Sequence, residues 1–66
     1  MKLSVNNKET EIAPGTFIDK LADSLQLPDK GVAIAVNNKM IPRTEWNQYE
    51  LRESDQVIII KAACGG

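Results

Sequence analysis

The sequence predicts a small α+β domain, a mixed sheet of about four to five strands with one main helix packed on one face. Three observations carry that expectation. Met1, Leu3 and Val5 alternate with Lys2 and Ser4, the period of a strand buried on one face. Ile18, Leu21, Ala22 and Leu25 recur at i, i+3, i+4 and i+7, the apolar stripe of an amphipathic helix. Val57-Ile58-Ile59-Ile60 is β-branched throughout and apolar on both faces, which suits a central strand. One helix is enough to cover one face of a sheet this small. At 66 residues the chain has room for one domain, expected over residues 1–66.

The elements follow in order. Asn6-Asn7 comes after the first alternating run, and Asn tolerates the left-handed backbone that a tight hairpin demands. Residues 9–13 read as the return strand, with Thr10 and Ile12 on one face and Glu9 and Glu11 on the other. Pro14-Gly15 ends it. Thr16 is placed as a helix N-cap, with Asp19 three residues on in the manner of a capping box. Asp19, Lys20, Asp23 and Ser24 take the outer face of the helix, and Pro28 is expected to stop it. Gly31 leads into Val32-Ala33-Ile34-Ala35-Val36, large residues alternating with alanine. Asn37-Asn38 marks a second turn, and Met40-Ile41 begins a short return strand that Pro42 confines to an edge or ends. Thr44-Glu45-Trp46 reads as a single helical turn, and residues 52–56 as a polar turn before the last strand. Residues 61–66, Lys61-Ala62-Ala63-Cys64-Gly65-Gly66, hold nothing large enough to anchor in a core and are expected to form a flexible tail.

Composition removes whole classes of function. With no histidine there is no Ser-His-Asp triad, no Cys-His dyad and no His-ligated metal. A single cysteine forbids an internal disulfide and a multi-cysteine zinc or iron–sulfur site, so no metal and no bound cofactor are expected. It is compatible with a reducing cytosol, and a cytoplasmic location is the expectation. A net charge of −1 lacks the basic footprint of a nucleic-acid binder. The longest apolar run, Val32–Val36, has five residues, far below a bilayer span, and the first residues do not read as a signal peptide. What remains is a chain without the usual catalytic groups.

The sharpest feature is the Gly65-Gly66 end. Two terminal glycines arise by chance in about one chain in two hundred, so the dipeptide alone favours an ordinary unstructured end. It also has a chemical reading. Glycines lack Cβ, so such an end can thread a narrow channel and present its carboxylate to a reactive group. That carboxylate, with an ordinary pKa of about 3.3–3.7, is ionised at neutral pH and is a nucleophile toward an activated phosphate. An enzyme supplying ATP would turn it into an acyl-adenylate open to thiols or amines.

A hairpin, one helix, further strands and a Gly-Gly end look like the β-grasp, ubiquitin-like fold. More specifically, the run 33–37, Ala-Ile-Ala-Val-Asn, with Ile41-Pro42-Arg43-Thr44-Glu45-Trp46, then Asp55-Gln56-Val57 and Gly65-Gly66, resembles the ThiS family of thiamine-biosynthesis sulfur carriers. The resemblance covers essentially the whole chain. It implies that a ThiF-type adenylyltransferase consumes ATP to adenylate the Gly66 carboxylate. A sulfur donor, ultimately cysteine through a cysteine desulfurase, would convert it to a thiocarboxylate, and thiazole synthase (ThiG) would take the sulfur. The chain would then be a protein cosubstrate, monomeric on its own, and not an enzyme. Gly65 and Cys64 would thread with the tail. The rivals are a small subunit of molybdopterin synthase, a ubiquitin-like modifier and a binding module with an inert tail.

Matching the tail to that pattern puts Val57 and Ile59 under the helix, with Ile58 and Ile60 on the opposite face beside Ala33 and Ala35. An apolar patch there suits docking of the adenylating and thiazole-forming partners. Burial beneath residues 42–51 is the competing reading, because pattern alone sets register weakly when both faces are apolar. The remaining candidates favour plain roles. Cys64 is a small tail residue before it is a sulfur-handling thiol. Trp46 and Tyr49 are packing residues, Arg43 a surface cation, and the pairs Glu9/Glu11 and Asp19/Asp23 solvated faces.

Overall fold

The computed structural model describes residues 1–28 and 30–61. Five strands form one sheet: β1 (Lys2–Val5), β2 (Lys8–Glu11), β3 (Val32–Val36), β4 (Lys39–Ile41) and β5 (Gln56–Lys61). Their order is β2-β1-β5-β3-β4. β5 runs parallel to β1, and the other neighbours are antiparallel. The most β-prone run in the sequence is therefore the central strand, where both of its faces can be used. Its last residue is Lys61, so the strand takes the first residue assigned to the tail; the remaining tail positions, 62–66, lie outside the described residues.

Two hairpins flank β5, and both turn on the same chemistry. Asn6 and Asn7 have φ of 53° and 66°, and Asn37 and Asn38 have φ of 52° and 69°. Positive φ at both central positions is the type I′ requirement, which matches the right-handed twist of the strands. The first Asn of each pair also reaches sideways to the central strand. Asn6 Oδ1 accepts from the Ile59 amide at 2.8 Å, and Asn37 Oδ1 accepts from the Gln56 amide at 2.9 Å. Asn37 Nδ2 donates to the buried Asp55 carboxylate, whose other oxygen accepts from the Arg52 amide. The side chains thus extend the ladders beyond the last backbone pairs.

The helix α1 (Ile18–Ser24) is shorter than the apolar stripe suggests and is capped differently at both ends. Thr16 is not the N-cap. Its hydroxyl donates to the Ala13 carbonyl at 2.7 Å, the cap position is Phe17, and no side chain caps the helix. The Ile18 amide is instead satisfied by the Tyr49 carbonyl at 3.0 Å, a tertiary bond no local pattern reveals. At the other end, the Leu27 amide bonds the Ala22 carbonyl and the Gln26 amide bonds that of Asp23. This is a Schellman motif with Gln26 in the left-handed position, φ 57°. The helix therefore ends before Pro28 acts on it, and Leu25 lies beyond the last turn, 44% exposed. A side chain at that φ costs about 1 kcal/mol. Gln26→Gly is expected to raise stability by about that much, several degrees of Tm in a domain this size. Thermal unfolding by circular dichroism checks it, and a lowered Tm would mean Gln26 makes contacts that outweigh the strain.

The core lies between α1 and one face of the sheet. Ile18, Leu21 and Ala22 from the helix meet Leu3, Ile34, Val36, Ile41 and Val57 from the strands, with Val5, Val32 and Ile59 partly buried beside them. Between β4 and β5 the expected single helical turn is a longer 3-10 helix, Arg43–Gln48. It brings Trp46 into the same core, joined by Leu51. The indole Nε1 donates to the Ile41 carbonyl at 3.0 Å, and the exposed Arg43 guanidinium stacks 4.7 Å from the ring centroid. Arg43 is thus a packing cation over an aromatic ring as well as a surface charge.

Candidate functional site

Register decides which residues share the face that the helix leaves open. Ala35 pairs with Ile58, Ala33 with Ile60, and Ala35 also pairs with Met40 on its other side. Paired residues project to the same face, so Met40, Ala35, Ala33, Ile58 and Ile60 form one strip on the side away from α1. None of the five belongs to the helix-side core. Ile60 is 51% exposed and Met40 56%, whereas Ile58 and Ala33 are half-buried and Ala35 is buried among its neighbours.

The strip has relief. Two alanines on β3 make a low floor between the Met40 side chain on β4 and the two isoleucines on β5. Residues 42–51 do not cover it. Trp46 and Leu51 of that segment pack into the core, and its backbone meets α1 through the Tyr49–Ile18 bond. The competing reading of the sequence, burial of Ile58 and Ile60 under 42–51, is therefore corrected. Met40 is the strip residue that the sequence analysis did not single out. Its signal was the alternation Lys39-Met40-Ile41, which acquires meaning only once Ala35 is known to lie opposite.

The same face changes character toward β1 and β2. Ser4 sits beside Gln56 on one side and Glu9 on the other, and Lys2 faces Glu11 across the β1–β2 pair. A shallow groove of about 440 Å³ opens there, lined by Lys2, Ser4, Glu9, Glu53, Ser54 and Gln56 among others. Glu9 and Glu11 project from an edge strand, Glu9 into solvent and Glu11 as the exposed partner of the N-terminal ammonium at 3.4 Å. Charged residues along an edge strand also discourage pairing with another sheet.

The tail candidates Cys64, Gly65 and Gly66 fall outside the described residues. The described chain ends just before them. Lys61 is the last residue of the central strand and pairs with Val32, one position beyond the Ala33–Ile60 pair of the open strip. The described chain thus ends next to the half-exposed Ile60. No helix among the described residues is long and apolar enough to cross a membrane.

A mixed five-stranded sheet centred on the last strand, with one helix across one face and an open apolar strip on the other, defines a ubiquitin-like β-grasp protein. The ThiS family model matches residues 2–66, and the chain belongs to that family. The sulfur carrier protein ThiS of Escherichia coli (strain K12) is 27% identical over 66 residues, covering all of both chains. The crystal structure of the thiamine biosynthesis protein ThiS from Geobacter metallireducens superposes with a TM-score of 0.85 at 22% identity, again over the full length of both chains. That likeness shows the fold.

Proposed function

We propose that this chain carries sulfur for thiazole formation in thiamine biosynthesis, with the Gly66 carboxylate as the carrying group. The observation that supports this best is the family match through residue 66, which includes the Gly65-Gly66 end. In the proposed cycle a ThiF-type adenylyltransferase joins the carboxylate oxygen to the α-phosphorus of ATP and releases pyrophosphate. A persulfide formed from cysteine by a desulfurase attacks the acyl carbon through its outer sulfur and expels AMP, and a thiol then cleaves the acyl disulfide, itself ending in a disulfide, to leave the thiocarboxylate. Thiazole synthase then takes the sulfur and the carboxylate returns. The chain supplies the acyl group and the docking surface, while ATP and the catalytic groups belong to the enzymes that act on it.

The open strip of Ile58, Ile60, Ala33 and Ala35 is proposed as the surface those enzymes grip. Exposed isoleucine on a sheet face is unfavourable for a free protein and becomes favourable when a partner removes it from water. The described strand ends at Lys61 beside the strip, so docking there and presentation of the carboxylate can occur together. Glycine at 65 and 66 suits passage through a channel too narrow for a Cβ.

Intact-mass spectrometry tests the proposal. The chain is incubated with the ThiF-type enzyme, ATP, cysteine and a desulfurase. Exchange of one terminal oxygen for sulfur is expected, dependent on ATP and lost when Gly66 is deleted. No mass change with a demonstrably active partner would remove the sulfur-carrier reading and leave the modifier or inert-tail readings.

A further inference from the structure

We infer that the groove at the β1–β2 side of the open face receives a basic side chain, arginine by preference, from the protein that docks on the apolar strip; this rests on the docking reading above. Continuity is the first ground. Gln56 and Ile58 are alternate residues of β5 on the same face, so the groove floor and the strip are one surface. A partner broad enough to cover Ile58 and Ile60 reaches the groove without a second contact region.

Charge is the second ground. The open face and its rim carry Glu9, Glu11 and Glu53 against Lys2 and the N-terminal ammonium, and the ammonium pairs with Glu11 at 3.4 Å. The groove lining itself then holds the two carboxylates of Glu9 and Glu53 against the one ammonium of Lys2, a net negative hollow in a chain whose whole net charge is only −1. Its lining also carries the neutral hydrogen-bonding side chains Ser4, Ser54 and Gln56. A guanidinium offers five donors in a planar fork and suits a hollow lined by two carboxylates and side-chain oxygens better than an ammonium does. At about 440 Å³ the groove admits a long side chain together with bridging water. Such a contact speeds encounter and fixes the register of docking, while the apolar strip supplies burial.

The test measures affinity and association rate between the full chain and the adenylating enzyme at several salt concentrations. The double variant Glu9→Gln/Glu53→Gln keeps side-chain acceptors, including one able to replace the Glu53 oxygen that accepts from the Lys2 amide, and should leave Tm unchanged. Affinity at low salt is expected to fall about 10-fold, mostly through the association rate, with a flatter salt dependence. Ile60→Asp is run beside it. Loss of binding by Ile60→Asp with no effect of the double variant would overturn the groove inference and leave the docking reading intact. Wild-type affinity for both variants would overturn the docking reading, and the inference with it.

Discussion

Truncation of Trp46 to alanine is expected to leave the domain largely unfolded, or folded only at low temperature. A large aromatic removed from a core costs about 3–5 kcal/mol. A 66-residue domain has only about 3–10 kcal/mol of stability in all. Trp46 is 4% exposed and packs in the layer that joins α1, β4 and the 3-10 helix. Two further contributions go with the ring: the bond from Nε1 to the Ile41 carbonyl and the platform on which Arg43 rests. Trp46→Phe separates them. It keeps an aromatic body and loses the donor, taking from the Ile41 carbonyl the bond it accepts besides its strand pairing with Ile34, and should cost about 1–3 kcal/mol. Urea unfolding followed by circular dichroism measures both, because the fluorescence signal leaves with the indole. Equal costs for the two variants would show that the hydrogen bond, and not the packed volume, holds this corner together.

That corner also shows where the sequence is legible and where it is not. Strands announce themselves by period, and the type I′ turns by their Asn-Asn pairs, because both are properties of a few adjacent residues. Helix α1 announces its buried face through Ile18, Leu21 and Ala22. Its ends were not readable. Thr16 has the chemistry of an N-cap, yet its hydroxyl finds the Ala13 carbonyl while a distant carbonyl, that of Tyr49, takes the Ile18 amide. Leu25 has the spacing of a core residue, yet a Schellman motif closes the helix first and turns it outward. The two errors have different causes. The cap is decided by a carbonyl arriving from the far side of the chain, whereas the helix end is decided locally by Gln26, whose residue type gives no warning of a left-handed backbone.

The open face was legible for a different reason. Val57 to Ile60 is apolar at every position, so its own pattern cannot say which side faces the helix. The alternation on β3 can. Two alanines between three large residues make one face of β3 thin, and antiparallel pairing then places Ile58 and Ile60 beside that thin face. Met40 and the groove near Glu9 and Glu53 escaped notice because both depend on which strands become neighbours. Glu53 and Ser4, 49 positions apart in the chain, line one groove only because β1 and β5 are parallel partners.

Placing a charge on the open strip is the change expected to act most strongly on function while sparing the fold. Ile60 is half exposed and outside the helix-side core, so Ile60→Asp removes little burial and should alter stability by less than about 1 kcal/mol. A partner that covers the strip would have to bury the new carboxylate without a counter-charge. An uncompensated buried charge costs several kcal/mol, enough to weaken binding about 100-fold or more. Ala33→Arg approaches the same point from β3, filling the low floor beside Ile60 with a long cation. Both variants should keep the wild-type circular dichroism spectrum and Tm while losing adenylation at limiting enzyme. The two substitutions carry opposite charge. Loss with both identifies shape and burial as the requirement, whereas loss with only one would mean that the partner meets this strip with charge and not with an apolar surface.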